Sequence, residues 1–421
     1  MNALLAERPA TATGSPTSAP HDDYRSRALA EGRRFVQRLD AILPVLRAGR
    51  ALSERDGVVP QASVDAMIQA GVFRAFTPLQ YGGLELSPAD FFDGIIRMAQ
   101  ADSAAAWIAG QITCHSLEIA SMSPRLQDEF WGVHGPDARA SSSFAPLGQA
   151  RATEGGYVLN GTWTFSSGVD HAHYVVLGGA ERNYIVPVTD MTVDHQSWDV
   201  QGLRGTGSKA VTLRDVFVPE HRIHHLVDVV QDRVAGLEVN DRPLYRGVSW
   251  FAVFNSTATN TVIGIAVEGL RVFIEQSRNR MTKQGTGAPI LQNPFLHLKL
   301  ADALTRVNGV RERHLKNWRE LFDKACRGEA VTTLEKMRVR FESADANGTC
   351  FDALHEIWPV AGAAASASSN PLQQAFRDLM AARNHGSGGR ELAASNYVRE
   401  LFGMPPPEFK VIDFAAAAYL R

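Results

Sequence analysis

Apolar residues recur at three- and four-residue intervals in the first third of the chain. Two runs show this spacing most clearly: Phe35, Leu39, Ile42 and Leu46, then Val64, Met67, Ile68 and Val72. This is the period of α-helices that bury one face. Ser123-Pro124 predicts one more short helix, because proline is tolerated in a first helical turn. We therefore expect a helical domain at residues 24–135, after a disordered tail at 1–23 that is rich in Ala, Thr, Ser and Pro.

The pattern changes to short alternating runs between residues 136 and 228. These runs are rich in β-branched and aromatic residues, and Gly, Asn and Asp separate them. They begin at Tyr157, Tyr174, Asn183, Ala210 and Asp215. Such runs predict a small central antiparallel β domain at 136–228, followed by a connecting segment at 229–248.

Helical periodicity returns over residues 249–421, which predicts a C-terminal domain resembling a four-helix bundle. The long helical stretches are Val262 to Arg280, Leu296 to Phe322 and Leu334 to Ile357. The fold class is thus α+β, in the order helix, sheet, helix. Without alternating βαβ units, a dinucleotide-binding Rossmann domain is excluded, and the glycines of Gly202 to Gly207 are expected to form a turn before a strand.

Composition narrows the classes of partner. The formal net charge of −2 over 421 residues leaves no basic excess that would neutralise nucleic-acid phosphates. No run approaches the roughly 18 consecutive apolar residues of a membrane-spanning helix, so no membrane association is expected. The three scattered cysteines, Cys114, Cys326 and Cys350, suit neither a disulfide framework nor a zinc site, which favours the reducing cytoplasm.

Four polar segments stand out in apolar surroundings. They are Cys114-His115, the triplet Ser141 to Ser143, the strand end Phe165-Ser-Ser-Gly168, and His385 among glycines. Gly168 allows a backbone to approach a flat ligand closely. A histidine with a pKa near neutrality can accept the proton of a phenol.

Each segment also has a purely structural interpretation. His115 could be a hydrogen-bonded core histidine, and Ser166 and Ser167 could end a strand through local bonds to the backbone. Trp163 could be a core residue, the serine triplet a polar loop, and His385 part of a surface loop. The pair His224-His225 is expected to form an exposed turn. No metal is expected, because His171-Ala-His173 lacks a third ligand.

Longer motifs carry a resemblance to a known family. Tyr81-Gly-Gly-Leu, Gly202-Leu-Arg-Gly-Thr-Gly-Ser and Asp215-Val-Phe-Val-Pro-Glu resemble the acyl-CoA dehydrogenase superfamily over nearly the whole chain. Within it, the segments Thr113-Cys-His-Ser, Ala140-Ser-Ser-Ser-Phe-Ala-Pro and Phe165-Ser-Ser-Gly-Val-Asp-His-Ala, together with the His385 segment, resemble one branch. That branch is the oxygenase component of two-component flavin-dependent monooxygenases, typified by 4-hydroxyphenylacetate 3-hydroxylase.

The resemblance implies a homotetramer whose protomers bind reduced FMN or FAD, delivered by diffusion from a separate NAD(P)H-flavin reductase. Dioxygen would convert the reduced flavin to a hydroperoxide, whose distal oxygen is transferred to a small aromatic substrate, expected to be phenolic. Dioxygen is thus a co-substrate. No part of this scheme needs a metal.

The resemblance also assigns roles to particular residues. Ser167 corresponds to the serine beside the reactive nitrogen of the flavin, His115 and Ser142 to side chains that hold the phenol hydroxyl, and His385 to a histidine near the peroxide. Trp163, Phe165 and Ser166 are expected beside the flavin, Arg246 near its ring, and Arg278 at its phosphate or pyrophosphate.

Two other functions stay open on the sequence. One is an acyl-CoA dehydrogenase-type flavoenzyme, which needs a carboxylate base. The segment Arg383 to Gly389 has no glutamate in the comparable place, although some dehydrogenases place the base elsewhere. The other is an N- or S-oxygenase of the same branch.

Overall fold

The computed structural model describes residues 19–179, 181–225, 234–281 and 287–404. Most of the expected tail, residues 1–18, lies outside this range. Within the described residues, six helices precede the first strand: α1 (Ala19–Asp56), α2 (Gln61–Ala70), α3 (Pro88–Ala101), α4 (Ser103–Thr113), α5 (His115–Ala120) and α6 (Pro124–His134). Helix α1 begins five residues before Tyr24, where the helical pattern was expected to start.

Helix α4 is buried along its whole length, since each of its 11 residues is buried. Its start is determined by Asp102, whose carboxylate accepts the backbone N–H groups of Ala104 and Ala105 at 2.9 and 3.3 Å. The small residues that follow let the helix pack closely against its neighbours. Helix α4 then leads directly into α5, which places His115 at a junction inside the fold.

Eight strands form the central part. They are β1 (Ala140–Ser143), β2 (Gln149–Thr153), β3 (Gly156–Ser166), β4 (Tyr174–Gly178), β5 (Arg182–Pro187), β6 (Thr192–Asp194), β7 (Lys209–Pro219) and β8 (Ile223–His225). They make two four-stranded sheets, in the orders β1-β4-β5-β8 and β2-β3-β7-β6. Leu159 and Val211 of one sheet belong to the same apolar core as Val175 and Val186 of the other, so the sheets pack face to face.

The expectation of a wholly antiparallel β domain is wrong for one pair of strands. Strands β1 and β4 run parallel, with Ser142 opposite Val176. The physical reason is the long connection between them: after β1 the chain builds β2 and β3 in the other sheet before it returns as β4. The expected turn at 202–207 is confirmed, because a short 3₁₀ helix at Arg204–Thr206 precedes β7.

Six helices follow the sheets in the part of the chain that the structure describes. They are α7 (Pro243–Gly247), α8 (Trp250–Ser277), α9 (Pro294–Cys326), α10 (Thr333–Ile357), α11 (Pro371–Arg383) and α12 (Arg390–Leu401). Helix α8 is central and packs against α3, α4, α10 and α11. The predicted order of helices, sheets and helices is therefore confirmed.

Helix α8 is also the one helix, among the described residues, that is long and apolar enough to cross a membrane. However, 83% of its most apolar window is buried inside the fold. This is the burial expected for the core helix of a helical domain.

Candidate active site

Ser167 directly follows β3, at the strand end that was predicted to carry the site, and is half-buried. Its hydroxyl accepts the indole N–H of Trp107 at 3.1 Å. It also lies 2.8 Å from the hydroxyl of Ser208, which lies 2.8 Å from that of Thr206. When the hydroxyls donate in the order Thr206, Ser208, Ser167, the hydrogen of Ser167 is left for a bound ligand.

The residues on either side of Ser167 also suit a ligand. The hydroxyl of Ser166 is buried and has no hydrogen-bond partner among the described residues, which is costly for a buried polar group unless a ligand pairs with it. Phe165 has a φ of +67°, unusual for a residue with a side chain, and 68% of it is exposed. The strained backbone turns the Phe165 ring outward, where it is 6.1 Å from the ring of Trp198.

Trp163 does not take the position expected of it. The residue is buried in the sandwich core, and its indole N–H donates to the carbonyl of Gly178 at 3.0 Å. The pairing of β3 with β7 shifts register between Trp163 and Ser166, so simple alternation does not hold here. Trp163 therefore packs the core, and the exposed ring at this strand end belongs to Phe165.

His115, at the start of α5, is fully buried. Its Nδ1 lies 2.9 Å from the carboxylate of Glu118, whereas its Nε2 has no partner among the described residues. The imidazole lies beside two aromatic rings, with centroids 5.6 Å from Phe144 and 5.9 Å from Phe254. A purely structural core histidine would have both nitrogens hydrogen-bonded, so the free Nε2 favours a ligand contact.

Glu118 is likewise fully buried and accepts three hydrogen bonds. Besides His115, these come from the amide of Asn183 at 2.7 Å and from Nδ1 of His224 at 2.9 Å. Burial acts to raise the pKa of Glu118, but the bonds from His115 and His224 outweigh it and lower the pKa to about 2. Glu118 is thus a carboxylate at any physiological pH.

The expectation that His224 lies in an exposed turn is wrong. It is buried in β8, where the register with β5 places it opposite Asn183. This pairing directs both side chains to the carboxylate of Glu118. Glu118 was not predicted to belong to the site. Its position three residues after His115 could have indicated it, since residues three apart in a helix share a face.

The serine triplet of β1 joins the strand end to α5. The hydroxyls of Ser141 and Ser143 donate to the carbonyls of Ser167 and Thr164, at 2.8 and 2.6 Å. Because successive strand residues face opposite sides, Ser142 points away from β3. Helices α4 and α5 contact β1 as well, which places Ser142 between the two parts of the fold.

His385 follows α11 and is half-buried. The backbone N–H of Ser387 donates to its Nδ1 at 3.3 Å, so neutral His385 carries its hydrogen on Nε2. Burial, assisted by the cation of Arg340, lowers the pKa of His385 to about 4. The ring is 5.2 Å from that of Trp107 and 6.4 Å from that of Phe254.

Trp107 and Phe254 therefore link three of the predicted residues into one site. Trp107 contacts both Ser167 and His385, and Phe254 contacts both His385 and His115. Neither linking residue was singled out from the sequence. Both are ordinary apolar residues of helices, with no local signal that separates them from the core.

The two predicted arginines lie away from this site within the protomer. Arg246 is exposed and forms an ion pair with Asp241. Arg278 lies at the end of α8, 24 residues after Phe254, which corresponds to roughly 36 Å at 1.5 Å per residue. The structure thus joins Ser167, His385 and His115, but neither Arg246 nor Arg278 to them.

The residues present suit a flat, hydrogen-bonding ligand such as a flavin ring. Ser166 provides a buried hydroxyl that no described residue pairs with, and Ser167 provides a hydroxyl that can donate. The exposed ring of Phe165 provides an uncovered apolar surface beside them. A second, smaller ligand would find Nε2 of His115 among aromatic rings.

Comparison with known proteins gives the same picture. Residues 256–387 match the family model described as acyl-CoA dehydrogenase, C-terminal domain. The chain is 31% identical to the flavin-dependent monooxygenase oxygenase subunit HsaA of Rhodococcus jostii, over 88% of this chain and 98% of that protein. It is also 31% identical to the oxygenase component of p-hydroxyphenylacetate 3-hydroxylase of Acinetobacter baumannii, over 89% and 90%.

Solved structures agree over similar lengths. The 3-HSA hydroxylase from Rhodococcus superimposes with a TM-score of 0.83 at 31% identity, covering 89% of this chain and 98% of that one. XiaF from Streptomyces, solved with FADH2 and glycerol, gives 0.82 at 26% identity, covering 91% and 98%. The chain therefore belongs to the oxygenase components of the flavin-dependent monooxygenases, oxidoreductases that use a flavin and dioxygen.

Proposed function

We propose that this protein hydroxylates a phenol, using reduced FAD or FMN supplied by a separate NAD(P)H-flavin reductase. The observation that carries the proposal is Nε2 of His115, which is fully buried among aromatic rings and has no hydrogen-bond partner in the part of the chain that the structure describes. An apolar enclosure with one proton acceptor suits an aromatic ring that bears a hydroxyl. The p-hydroxyphenylacetate relative, named for a phenolic substrate, supports the same class.

Each residue then has a defined task. A reduced flavin held beside Ser166 and Ser167 would supply, together with dioxygen, the electrophilic oxygen atom that hydroxylation needs. His115 accepts the proton of the substrate hydroxyl at Nε2, which makes the ring electron-rich and ready for attack. Ser142, on the face of β1 opposite to Ser141 and Ser143, would hold the same hydroxyl.

The other two polar residues act on the flavin side. Ser167 donates its hydrogen to the flavin, while Trp107 and Ser208 hold its oxygen in place. His385 stays neutral because its pKa is about 4, and its Nε2–H is available as a donor. The aromatic rings of Trp107, Phe144 and Phe254 around His385 and His115 make these surroundings less polar, which strengthens both contacts.

We also propose that the protein acts as a cytoplasmic homotetramer. Phe295 and Leu298, in the first turns of α9, are 75% and 63% exposed, an apolar surface that a second copy would cover. Arg246 and Arg278 would then contact a flavin bound by a neighbouring protomer. No disulfide joins the three buried cysteines Cys114, Cys326 and Cys350, all of which lie in the described ranges, as suits a reducing compartment.

The test is reconstitution with a purified flavin reductase, NADH, flavin, a panel of phenols and ¹⁸O₂. We expect an ¹⁸O atom in one or more products, and no turnover when the reductase is omitted. Oxygen consumption without labelled product from any phenol would overturn the proposal. Labelled product from an amine or a thioether instead would point to an N- or S-oxygenase.

A matched variant tests the role of His115. His115→Ala should consume oxygen at the rate of the wild type and release hydrogen peroxide, but lose hydroxylation by about 10²-fold or more, the scale of a general base. Glu85→Gln, a change at another buried carboxylate, which is bonded to Arg27 and to the backbone of Leu79, serves as control. If His115→Ala couples oxygen use to hydroxylation as well as the control does, the proposed role is wrong.

A further inference from the structure

The carboxylate of Glu118 lies behind His115 and has no task in the reaction described so far. It accepts one hydrogen bond at Oε2, from Nδ1 of His115. It accepts two at Oε1, from Asn183 and His224, which belong to β5 and β8. Three donors from three separate elements thus meet at one fully buried carboxylate.

We propose that Glu118 is a positioning residue that keeps the hydrogen of neutral His115 on Nδ1, so that Nε2 stays a bare acceptor aimed at the substrate. The effect on catalysis rests on the proposed function, whereas the position of the hydrogen on His115 is a property of the protein without substrate. An ionised carboxylate can only accept hydrogen bonds, so the nitrogen that faces it must donate. A neutral imidazole has one hydrogen, which leaves Nε2 without one.

The charges around this pair suit the proton transfer. When the O–H bond of the phenol breaks, the proton forms a new N–H bond at Nε2 and the substrate keeps the electron pair. His115 is then an imidazolium paired with the Glu118 carboxylate at 2.9 Å. Burial, with Glu118 next in effect, raises the pKa of the adjacent Cys114 thiol, so Cys114 stays neutral. Asn183 is uncharged, and His224 faces the other carboxylate oxygen.

The different numbers of donors at the two oxygens predict the effect of Glu118→Gln. A glutamine has one accepting oxygen and one donating amide. If its oxygen takes the Oε1 position, it satisfies both Asn183 and His224, whereas in the Oε2 position it satisfies His115 alone. The first arrangement directs the amide N–H at Nδ1 of His115. His115 must then move its hydrogen to Nε2, which can no longer accept a proton.

The decisive measurement is the ¹⁵N shifts of the imidazole nitrogens, recorded by long-range ¹H–¹⁵N NMR on the full-length protein without substrate. A His115→Asn sample identifies the signals of His115. We expect the wild type to carry hydrogen on Nδ1 and Glu118→Gln to carry it on Nε2. Wild-type His115 with hydrogen on Nε2 would overturn the inference, even if the variant failed to fold and even if no phenol were ever hydroxylated.

Turnover then tests the consequence. In Glu118→Gln we expect the rate of hydroxylation to fall by about 10²-fold or more, with little change in KM. In other enzymes, a carboxylate that fixes a histidine tautomer contributes up to about 10⁴-fold to kcat. The deficit should shrink as the pH rises towards the phenol's own pKa of about 10, because the substrate then arrives ionised. Glu85→Gln should show neither effect. A deficit that is constant with pH would mean that Glu118 only stabilises the fold.

Discussion

Ser167→Ala separates a role in flavin chemistry from a role in ending a strand. The change removes the acceptor of the indole N–H of Trp107, and Trp107 is 95% buried. It also removes one hydrogen-bond partner of Ser208. An orphaned buried donor costs about 1–3 kcal/mol of folding free energy. The variant should therefore unfold at a lower denaturant concentration, whatever Ser167 does in catalysis.

The effect on catalysis is calculated separately. Loss of one hydrogen bond to the flavin is worth about 0.5–1.5 kcal/mol, which corresponds to about a two- to tenfold change in rate. We therefore expect Ser167→Ala to release about two- to tenfold more hydrogen peroxide per NADH than the wild type, and correspondingly less hydroxylated product. The assay is the ratio of peroxide to product in the reconstituted system, with the flavin saturating.

Ser208→Ala is the matched control. It removes the same Ser167–Ser208 bond but leaves the Ser167 hydroxyl and its bond to Trp107 in place. Ser208→Ala should also lose stability, but its peroxide-to-product ratio should rise less than that of Ser167→Ala, because the hydroxyl that would donate to the flavin is still present. If Ser167→Ala releases no more peroxide than Ser208→Ala does, Ser167 ends a strand and has no catalytic task.

Two further predictions concern His385 and the oligomer. Because the pKa of His385 is lowered to about 4 from an ordinary 6.5, His385 contributes fully to stability above about pH 6.5 and loses that contribution as the pH falls towards 4. In urea unfolding, His385→Gln should remove the part of the stability loss between pH 6.5 and 4 that His385 causes. Arg340→Gln should make that part smaller. Wild-type protein should elute as a tetramer by light scattering, and Phe295→Asp with Leu298→Asp should yield smaller species. A monomeric wild type would refute the proposed assembly.

Local sequence patterns sufficed where the structure depends on neighbouring residues. The period of Phe35 and Leu39 predicted a helix, and the turn before Lys209 was visible in its glycines. The strand end at Ser167 was visible for the same reason. These features depend on a few consecutive residues, whose preferences the rest of the fold does not oppose.

The failures all involve contacts between residues far apart in the chain. The local sequence around His224 predicts an exposed turn. In the structure, His224 pairs with Asn183 of β5 and is buried against Glu118, which lies 106 residues earlier. Trp163 lies in the sandwich core instead of beside a ligand, because a register shift and the positive φ of Phe165 interrupt the alternation. Nothing local to β1 shows that β4 will pair with it in parallel.

The contacts of Trp107 give the protein an internal optical probe. Its indole donates a hydrogen bond to Ser167 beside the sheet and packs against His385 after α11. Trp107 therefore contacts the site from two sides. Indole emission depends on polarity and on energy transfer to a nearby chromophore. The part of the fluorescence that Trp107→Phe removes should therefore respond to occupancy of the site, which makes ligand binding measurable without turnover.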